Sequence, residues 1–275
     1  LRDIEVVAGD LRDTAAVRRA VRGCSIVFHL GALIGIPYSY ENPADVVSTN
    51  VLGTLHILQA GLEHEVERLV QTSTSEVYGT AQYVPMDEKH PLSPQSPYAA
   101  SKVGSDKLAE SYHRTYGLPV VILRPFNTYG PRQSPRAVIP TIITQALNSS
   151  AIRLGGLEPR RDLTYVADTA QGFVAAAIAE NVEGETIQLG SQLETSVAEL
   201  VQIIGNVLGK KLRVVSEARR RRPKKSEVVR LLGSNERARR LLGWEPRVPL
   251  VQGLEMTIQW FRSRVTTYKR DIYYI

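Results

Sequence analysis

Short apolar runs alternate along the chain with longer stretches whose apolar residues recur every three or four positions. Ile4–Val7 reads as a strand, Thr14–Val21 as a helix and Ser25–Leu30 as a buried strand. Asp45–Leu62 reads as a long helix, Arg68–Thr72 as a strand, Tyr98–Tyr116 as a helix and Pro119–Leu123 as a further strand. Strands separated by helices of roughly 10 to 20 residues predict right-handed βαβ units and a parallel sheet. From Pro131 to Pro159 proline and glycine become frequent and the pattern loosens. A helix at Val166–Ala179 and a strand at Thr186–Gly190 follow. The remainder, through Ser196–Leu208, Asn235–Leu242 and Leu250–Phe261, is mostly helical. The expected fold is α/β, a doubly wound parallel sheet with a smaller, mostly helical second domain. Residues 1–130 plus about 162–191 form the first unit, and about 131–161 plus 192–265 the second.

Composition narrows the class. The 275 residues are 43% hydrophobic and 23% charged, which excludes a disordered chain. No apolar run approaches the roughly 18 residues of a membrane span. A single cysteine, Cys24, excludes a disulfide framework and a cysteine-based zinc site, so no metal is expected and a cytoplasmic location is. No signal peptide is recognisable. The chain opens at Leu1 and runs straight into a strand-like segment, and it reads as a piece whose beginning is missing.

Lys+Arg 34 against Asp+Glu 28 leaves a net charge of +6. Much of the excess lies in Arg219, Arg220, Arg221, Arg222, Lys224 and Lys225. That run suits a solvated loop or a clamp for a phosphorylated small molecule. Nucleic acid is the weakest reading, because no aromatic interleaving accompanies the charges.

The chemistry concentrates at three points. Tyr98 and Lys102 form a Tyr-x-x-x-Lys pair one helical turn apart, so both side chains share a face. A nearby ammonium stabilises phenolate, which suits a tyrosine to acid–base work; the plainer reading is a surface contact. Thr72-Ser73-Thr74-Ser75-Glu76-Val77-Tyr78-Gly79 follows a strand, at the edge where open α/β sheets bind ligands. It also reads as a helix cap. Leu123-Arg124-Pro125-Phe126-Asn127 follows the next strand and puts Asn127 at the same edge, unless it is a simple turn.

Gly9-Asp10-Leu11, His29-Leu30-Gly31-Ala32, Asn50, Ser73-Thr74, Tyr98-x-x-x-Lys102, Arg124-Pro125-Phe126-Asn127 and Arg161-Asp162-x-x-Tyr165-Val166-x-Asp168 occur in that order. Together they resemble the extended short-chain dehydrogenase/reductase family of nucleotide-sugar epimerases, dehydratases and decarboxylases. Leu33–Tyr40, Ser73–Gln82 and Gly130–Pro140 more narrowly resemble nucleotide-activated N-acetylglucosamine 4,6-dehydratases of legionaminic-acid-type pathways.

The resemblance implies a Rossmann sheet, NAD as cofactor and a nucleotide-diphosphate sugar as substrate, with neither nucleic acid nor membrane as partner. Asp10 would accept from the adenine amino group, and Leu11 would pack on the ring. Leu30, Gly31, Ala32, Ser73 and Pro125 would line the dinucleotide, with Asn50 in the catalytic hydrogen-bond network. Lys102 would bind the nicotinamide ribose and tune Tyr98. Thr74 would hold the hexose, and Asn127, Arg136, Arg161 and Arg222 the rest of the sugar nucleotide. Relatives dimerise through helices corresponding to Asp45–Leu62 and Tyr98–Tyr116. A homodimer is therefore expected, with Val46, Leu55, Leu58 and Leu62 as an apolar stripe.

Two departures matter. Hexose 4,6-dehydratases have Thr-Asp-Glu where this chain has Thr74-Ser75-Glu76, and the aspartate is their acid for the departing C6 hydroxyl. Serine is a poor proton donor, which leaves the acid step to Glu76 or a water. Secondly, the family's Gly-x-x-Gly-x-x-Gly turn is absent, so the first βαβ unit, at least roughly 30 residues, is expected to be missing. A 4,6-dehydratase with Thr74, Ser75, Glu76, Tyr98 and Lys102 as catalytic set is the leading expectation. A 4-epimerase or uronate decarboxylase of the same fold comes next, and a non-catalytic binder of NAD or a sugar nucleotide last.

Overall fold

The computed structural model describes residues 4–220, 223 and 225–264. In chain order, α1 (Thr14–Val21) leads to β1 (Ile26–His29), the short helices α2 (Ile36–Glu41) and α3 (Pro43–Val47), a π-helical turn (Ser48–Leu52) and α4 (Gly53–Glu63). Next come β2 (Arg68–Thr72), a 3₁₀ turn (Ser75–Tyr78), α5 (Pro97–Tyr116), β3 (Val120–Pro125) and β4 (Asn127–Tyr129). α6 (Val138–Asn148), β5 (Ala151–Leu154), β6 (Arg160–Tyr165), α7 (Val166–Ile178) and β7 (Thr186–Leu189) follow. The described chain closes with β8 (Glu194–Ser196), α8 (Val197–Leu208), β9 (Arg213–Ser216), α9 (Glu236–Leu242) and α10 (Leu250–Arg262).

The principal sheet is parallel, in the order β1-β2-β3-β7. Successive residues of a strand point to opposite faces, and both faces of β2 and β3 are covered. Leu69, Val120 and Ile122 pack with Val17 of α1, Leu58 of α4 and Ala109 of α5. Val70, Val121 and Leu123 pack on the other face with Phe173 and Ala176 of α7 and Ala238 of α9. Burial on both sides accounts for the unbroken apolar run Val120–Leu123 of β3, and β2 is buried from Arg68 through Gln71 as well.

A second core lies beside the sheet. It joins Ile139, Ile142 and Ile143 of α6, Leu200 and Ile204 of α8, and Leu254, Ile258 and Phe261 of α10. Two small sheets flank it. β4 pairs parallel to β6, β6 antiparallel to β8, and β5 parallel to β9.

Four expectations are corrected. Ile4–Val7 is not a strand: it has no ladder partner among the described residues, and Ile4 and Val6 are 59% and 86% exposed. β1 is an edge strand rather than a buried one, with Ile26 and Phe28 about two-fifths exposed (39% and 41%). The helix over 45–62 is interrupted by the π-helical turn at Ser48–Leu52. The segment 131–159, where the pattern loosens, carries α6 and β5; the region after Gly190 is mostly helical as expected, with the short strands β8 and β9 added. Strands of three or four residues are too short to display period-two alternation. Among the described residues no helix is long and apolar enough to cross a membrane.

Candidate active site

The carboxyl ends of β2 and β3 and the first two turns of α5 converge. β2 ends at Thr72, and Thr74 caps the 3₁₀ turn by accepting from the Glu76 amide at 3.3 Å. The capping reading of this cluster is met in the structure, and the cap sets the turn that carries Glu76. Gly79 ends the turn at φ 65°, and an added Cβ would lie 2.2 Å from the Ser93 carbonyl oxygen. α5 begins at a Ser96 cap followed by Pro97, a combination that satisfies an orphan amide and presets φ. Tyr98 is thus carried on a firmly anchored first turn, with Lys102 on the turn that follows.

Tyr98 and Lys102 are buried, 7% and 3% exposed, as are Ser75 and Glu76. Burial pushes the Tyr98 phenol well above its ordinary range; the Thr74 hydroxyl opposes this, and the negative charges of Glu76 and Asp106 reinforce it. This is the reverse of the lowering expected from the Tyr-x-x-x-Lys spacing, because in the folded chain desolvation dominates. Burial likewise pulls Lys102 down, opposed by Asp106. Among the described residues no hydrogen bond ties the Lys102 ammonium, so its three donors suit a ribose diol.

Asn50 sits on the π-helical turn, fully buried. Its side chain accepts from the Leu33 amide at 2.8 Å and donates to the Leu33 carbonyl at 3.0 Å and to Ser101 Oγ at 2.9 Å. Ser101 Oγ in turn donates to the Tyr98 carbonyl at 2.7 Å. Asn50 therefore fastens the Gly31-Ala32-Leu33 loop to the helix of Tyr98. Behind it, the Thr54 hydroxyl donates to the Asn50 carbonyl at 2.6 Å and so must accept from His29 Nε2 at 3.1 Å. Burial, aided by Lys102, pushes His29 down to about 3.

The remaining candidates spread around this centre. Leu30 and Gly31 are exposed, Ala32 and Pro125 half-buried. The Asp10 carboxylate accepts from Arg12 through both oxygens and is thereby held down at about 2. Leu11 packs toward Gly31 and Gly53. Asn127 begins β4 opposite Leu163 of β6, and its Oδ1 is buried without a partner among the described residues. Arg161, also on β6, donates to Glu227 at 3.2 Å. Arg136 reaches across to the loop after β1, its Nη1 3.7 Å from the position of a Gly35 Cβ. Arg222 lies outside the described residues.

Sequence reasoning assigned no role to three residues here. Asp162 Oδ1 accepts from the Ser191 amide and hydroxyl, and its Oδ2 from the Gln192 and Gly233 amides. It ties three segments together beside Arg161; burial pushes it up to about 6. Asp106 and Arg124 form a buried ion pair behind the Thr74–Glu76 turn. The available signal was spacing, since Asp106 is one helical turn beyond Lys102.

These residues can be set against known proteins. The sequence profile of the GDP-mannose 4,6 dehydratase family matches residues 1–257. A putative UDP-glucose 4-epimerase of Methanocaldococcus jannaschii is 35% identical over 96% of this chain and 86% of its own length. A dTDP-glucose 4,6-dehydratase of an Actinoplanes species is 34% identical over 94% of this chain and 79% of its own. Among solved structures, the dTDP-glucose 4,6-dehydratase DesIV of Streptomyces venezuelae, crystallised with NAD bound, superposes with a TM-score of 0.86. It is 34% identical, over 95% of this chain and 80% of that one.

Proposed function

The chain belongs to the GDP-mannose 4,6-dehydratase family of NAD-dependent nucleotide-sugar dehydratases and epimerases, and from that premise we propose that it is a 4,6-dehydratase. On this reading it converts UDP- or GDP-N-acetylglucosamine to the 4-keto-6-deoxy sugar nucleotide. The observation that carries the reading is Glu76, a carboxylate buried beside Tyr98 on a capped turn. Epimerisation at C4 needs one acid–base group; elimination across C5 and C6 needs a second.

The residues present suit NAD at its nicotinamide end. Lys102 offers unspent donors, and Asn50 fixes the loop whose glycine and alanine let a ring approach. NAD, when bound, accepts a hydride from the sugar and returns it. Tyr98 takes the C4 hydroxyl proton as the ketone forms, and Lys102 favours its phenolate. Thr74 orients the hexose. Glu76 removes the C5 proton, which the ketone acidifies, and passes it to the departing C6 hydroxyl directly or through water; C5 then regains a proton from solvent as C6 is reduced. That relay replaces the missing acid at Ser75. Asn127, Arg136 and Arg161 hold the sugar nucleotide, Arg161 by exchanging Glu227 for phosphate oxygens.

One observation favours a second reading. Ser75 in place of an acid is compatible with 4-epimerisation or uronate decarboxylation, and the M. jannaschii relative is a putative epimerase. Mass spectrometry of each candidate nucleotide sugar incubated with the protein and NAD separates them. Loss of one water supports the dehydratase. Loss of carbon dioxide from a uronate, or an isomer of unchanged mass, overturns it.

Pairing of two copies through α4 and α5 belongs to the same proposal. Leu55 and the exposed Leu62 are available for it, whereas Val46 and Leu58 are buried within the subunit and cannot form the expected stripe. Sedimentation that shows only monomer would remove the dimer.

A further inference from the structure

Ser73 and Tyr78 flank the turn that carries Thr74, Ser75 and Glu76, and both are tied to one buried ion pair. Ser73 Oγ donates to Asp106 Oδ2 at 2.7 Å. Arg124 donates to the same oxygen through Nε at 3.1 Å and Nη2 at 2.9 Å. Its remaining terminal nitrogen, Nη1, donates to Tyr78 Oη at 3.0 Å. Both side chains of the pair are sealed from water, 0% exposed for Asp106 and 3% for Arg124. The second Asp106 oxygen, Oδ1, is buried without a hydrogen-bond partner among the described residues.

A buried ion pair contributes little stability over apolar residues of equal volume, so it is weak evidence of a purely structural role. What this one does is geometric. Arg124 is on β3, Asp106 on α5, and Ser73 and Tyr78 bracket the turn after β2. Three elements that share no covalent rigidity are locked by one guanidinium fork.

We propose that the Asp106–Arg124 pair is the positioning device that sets Thr74 and Glu76 against Tyr98, and that Asp106 supplies the countercharge faced by the Lys102 ammonium. The inference rests on the reading of Tyr98, Lys102 and Glu76 given under the proposed function. Asp106 lies one turn beyond Lys102 on the same helical face, and Lys102 feels it as its opposing charge. The charged or titratable groups that act on Tyr98 and Lys102 are Glu76 from the turn, Asp106 from α5 and His29 from β1, with Arg124 of β3 paired to Asp106.

The test has an arm that needs no turnover. In protein carrying ¹³C-labelled lysine, NMR titration follows Lys102, identified as the resonance lost in Lys102→Arg. Asp106→Asn should move its midpoint to lower pH by at least about half a unit, and Asp106→Glu should restore it. Both limbs of the kcat/KM profile should move acidward with it, because Tyr98 and Lys102 both lose a negative neighbour. An unchanged Lys102 midpoint in folded Asp106→Asn overturns the electrostatic half.

Arg124→Lys keeps the buried charge balanced, so it folds even where Asp106→Asn, with its unpaired guanidinium, does not. It loses the fork that serves Asp106 and Tyr78 together. It should lower kcat on the order of tenfold, with KM for the nucleotide sugar within about twofold. Tyr78→Phe should cost less, and nothing more when added to Arg124→Lys. Wild-type kcat in Arg124→Lys, or additive losses in the pair, overturn the positioning half. If the wild-type protein turns over no nucleotide sugar, the proposed function fails, and the Lys102 titration still decides the countercharge.

Discussion

Asn50 and Leu33 are joined by two hydrogen bonds running in opposite senses, the Leu33 amide to Oδ1 at 2.8 Å and Nδ2 to the Leu33 carbonyl at 3.0 Å. A side-chain amide here imitates a strand partner for a loop that has none. Asn50→Asp keeps the acceptor and loses the donor to both Leu33 and Ser101. Two buried acceptors are then unsatisfied beside a new charge, at a cost of roughly 2–4 kcal/mol. Urea unfolding should show that loss, and NAD affinity should fall with it. Unchanged stability would mean that the loop is held elsewhere.

His29 makes stability depend on pH in a defined direction. Its folded value is about 3 against an unfolded value of 6.5, so only the unfolded chain takes up the proton in between. The stabilisation is fully present above pH 6.5 and is lost as pH falls below it. Between pH 7.5 and 5.5 the loss from this residue is about 1.4 kcal/mol. The difference between wild type and His29→Gln in urea titrations at those two values isolates it; equal pH dependence in both would remove His29 as the cause.

Tyr98→Phe should reduce turnover on the order of 10²- to 10⁴-fold and leave sugar-nucleotide binding nearly intact. On the proposed mechanism the phenol moves a proton, whereas the assigned anchors of the nucleotide sugar are Asn127 and Arg161. Calorimetric titration beside a product assay reads both. Retention of most activity would take Tyr98 out of the mechanism.

Glu76→Gln keeps the side chain's shape and removes its basicity. Oxidation at C4 needs only Tyr98 and NAD, so the variant should accumulate reduced cofactor, visible in the near ultraviolet, without elimination. Wild-type product made in deuterated water should carry label at C5. Product formation by Glu76→Gln at the wild-type rate would defeat the assignment.

Gly79→Ala should disable the same turn from its far end. The position requires φ 65° and leaves a Cβ only 2.2 Å from a backbone carbonyl, which no side-chain rotation relieves. The strain should exceed about 2 kcal/mol and displace Glu76. Thermal unfolding and kcat should both fall; a variant of wild-type stability and rate would show that the segment 79–93 yields freely.

The parallel sheet, its helices and the polar ends of β2 and β3 are legible in the chain, because burial on both faces forces continuous apolar strands between amphipathic helices. Tyr98 and Lys102 are legible as a pair for a similar reason: helical periodicity alone puts them on one face. The three-residue pairings of β4 and β8 with β6 leave no period to read. Nor does any local rule join Arg124 to Tyr78, 46 residues apart, or Asn50 to Leu33. The phenol of Tyr98 makes the same point. Spacing brings a cation one turn away, but only the folded chain decides how much water is removed, and there desolvation, with Glu76 and Asp106 nearby, pushes the phenol up. Sequence determines what is periodic and adjacent; long-range hydrogen bonds and burial depend on segments that meet only when the chain has folded.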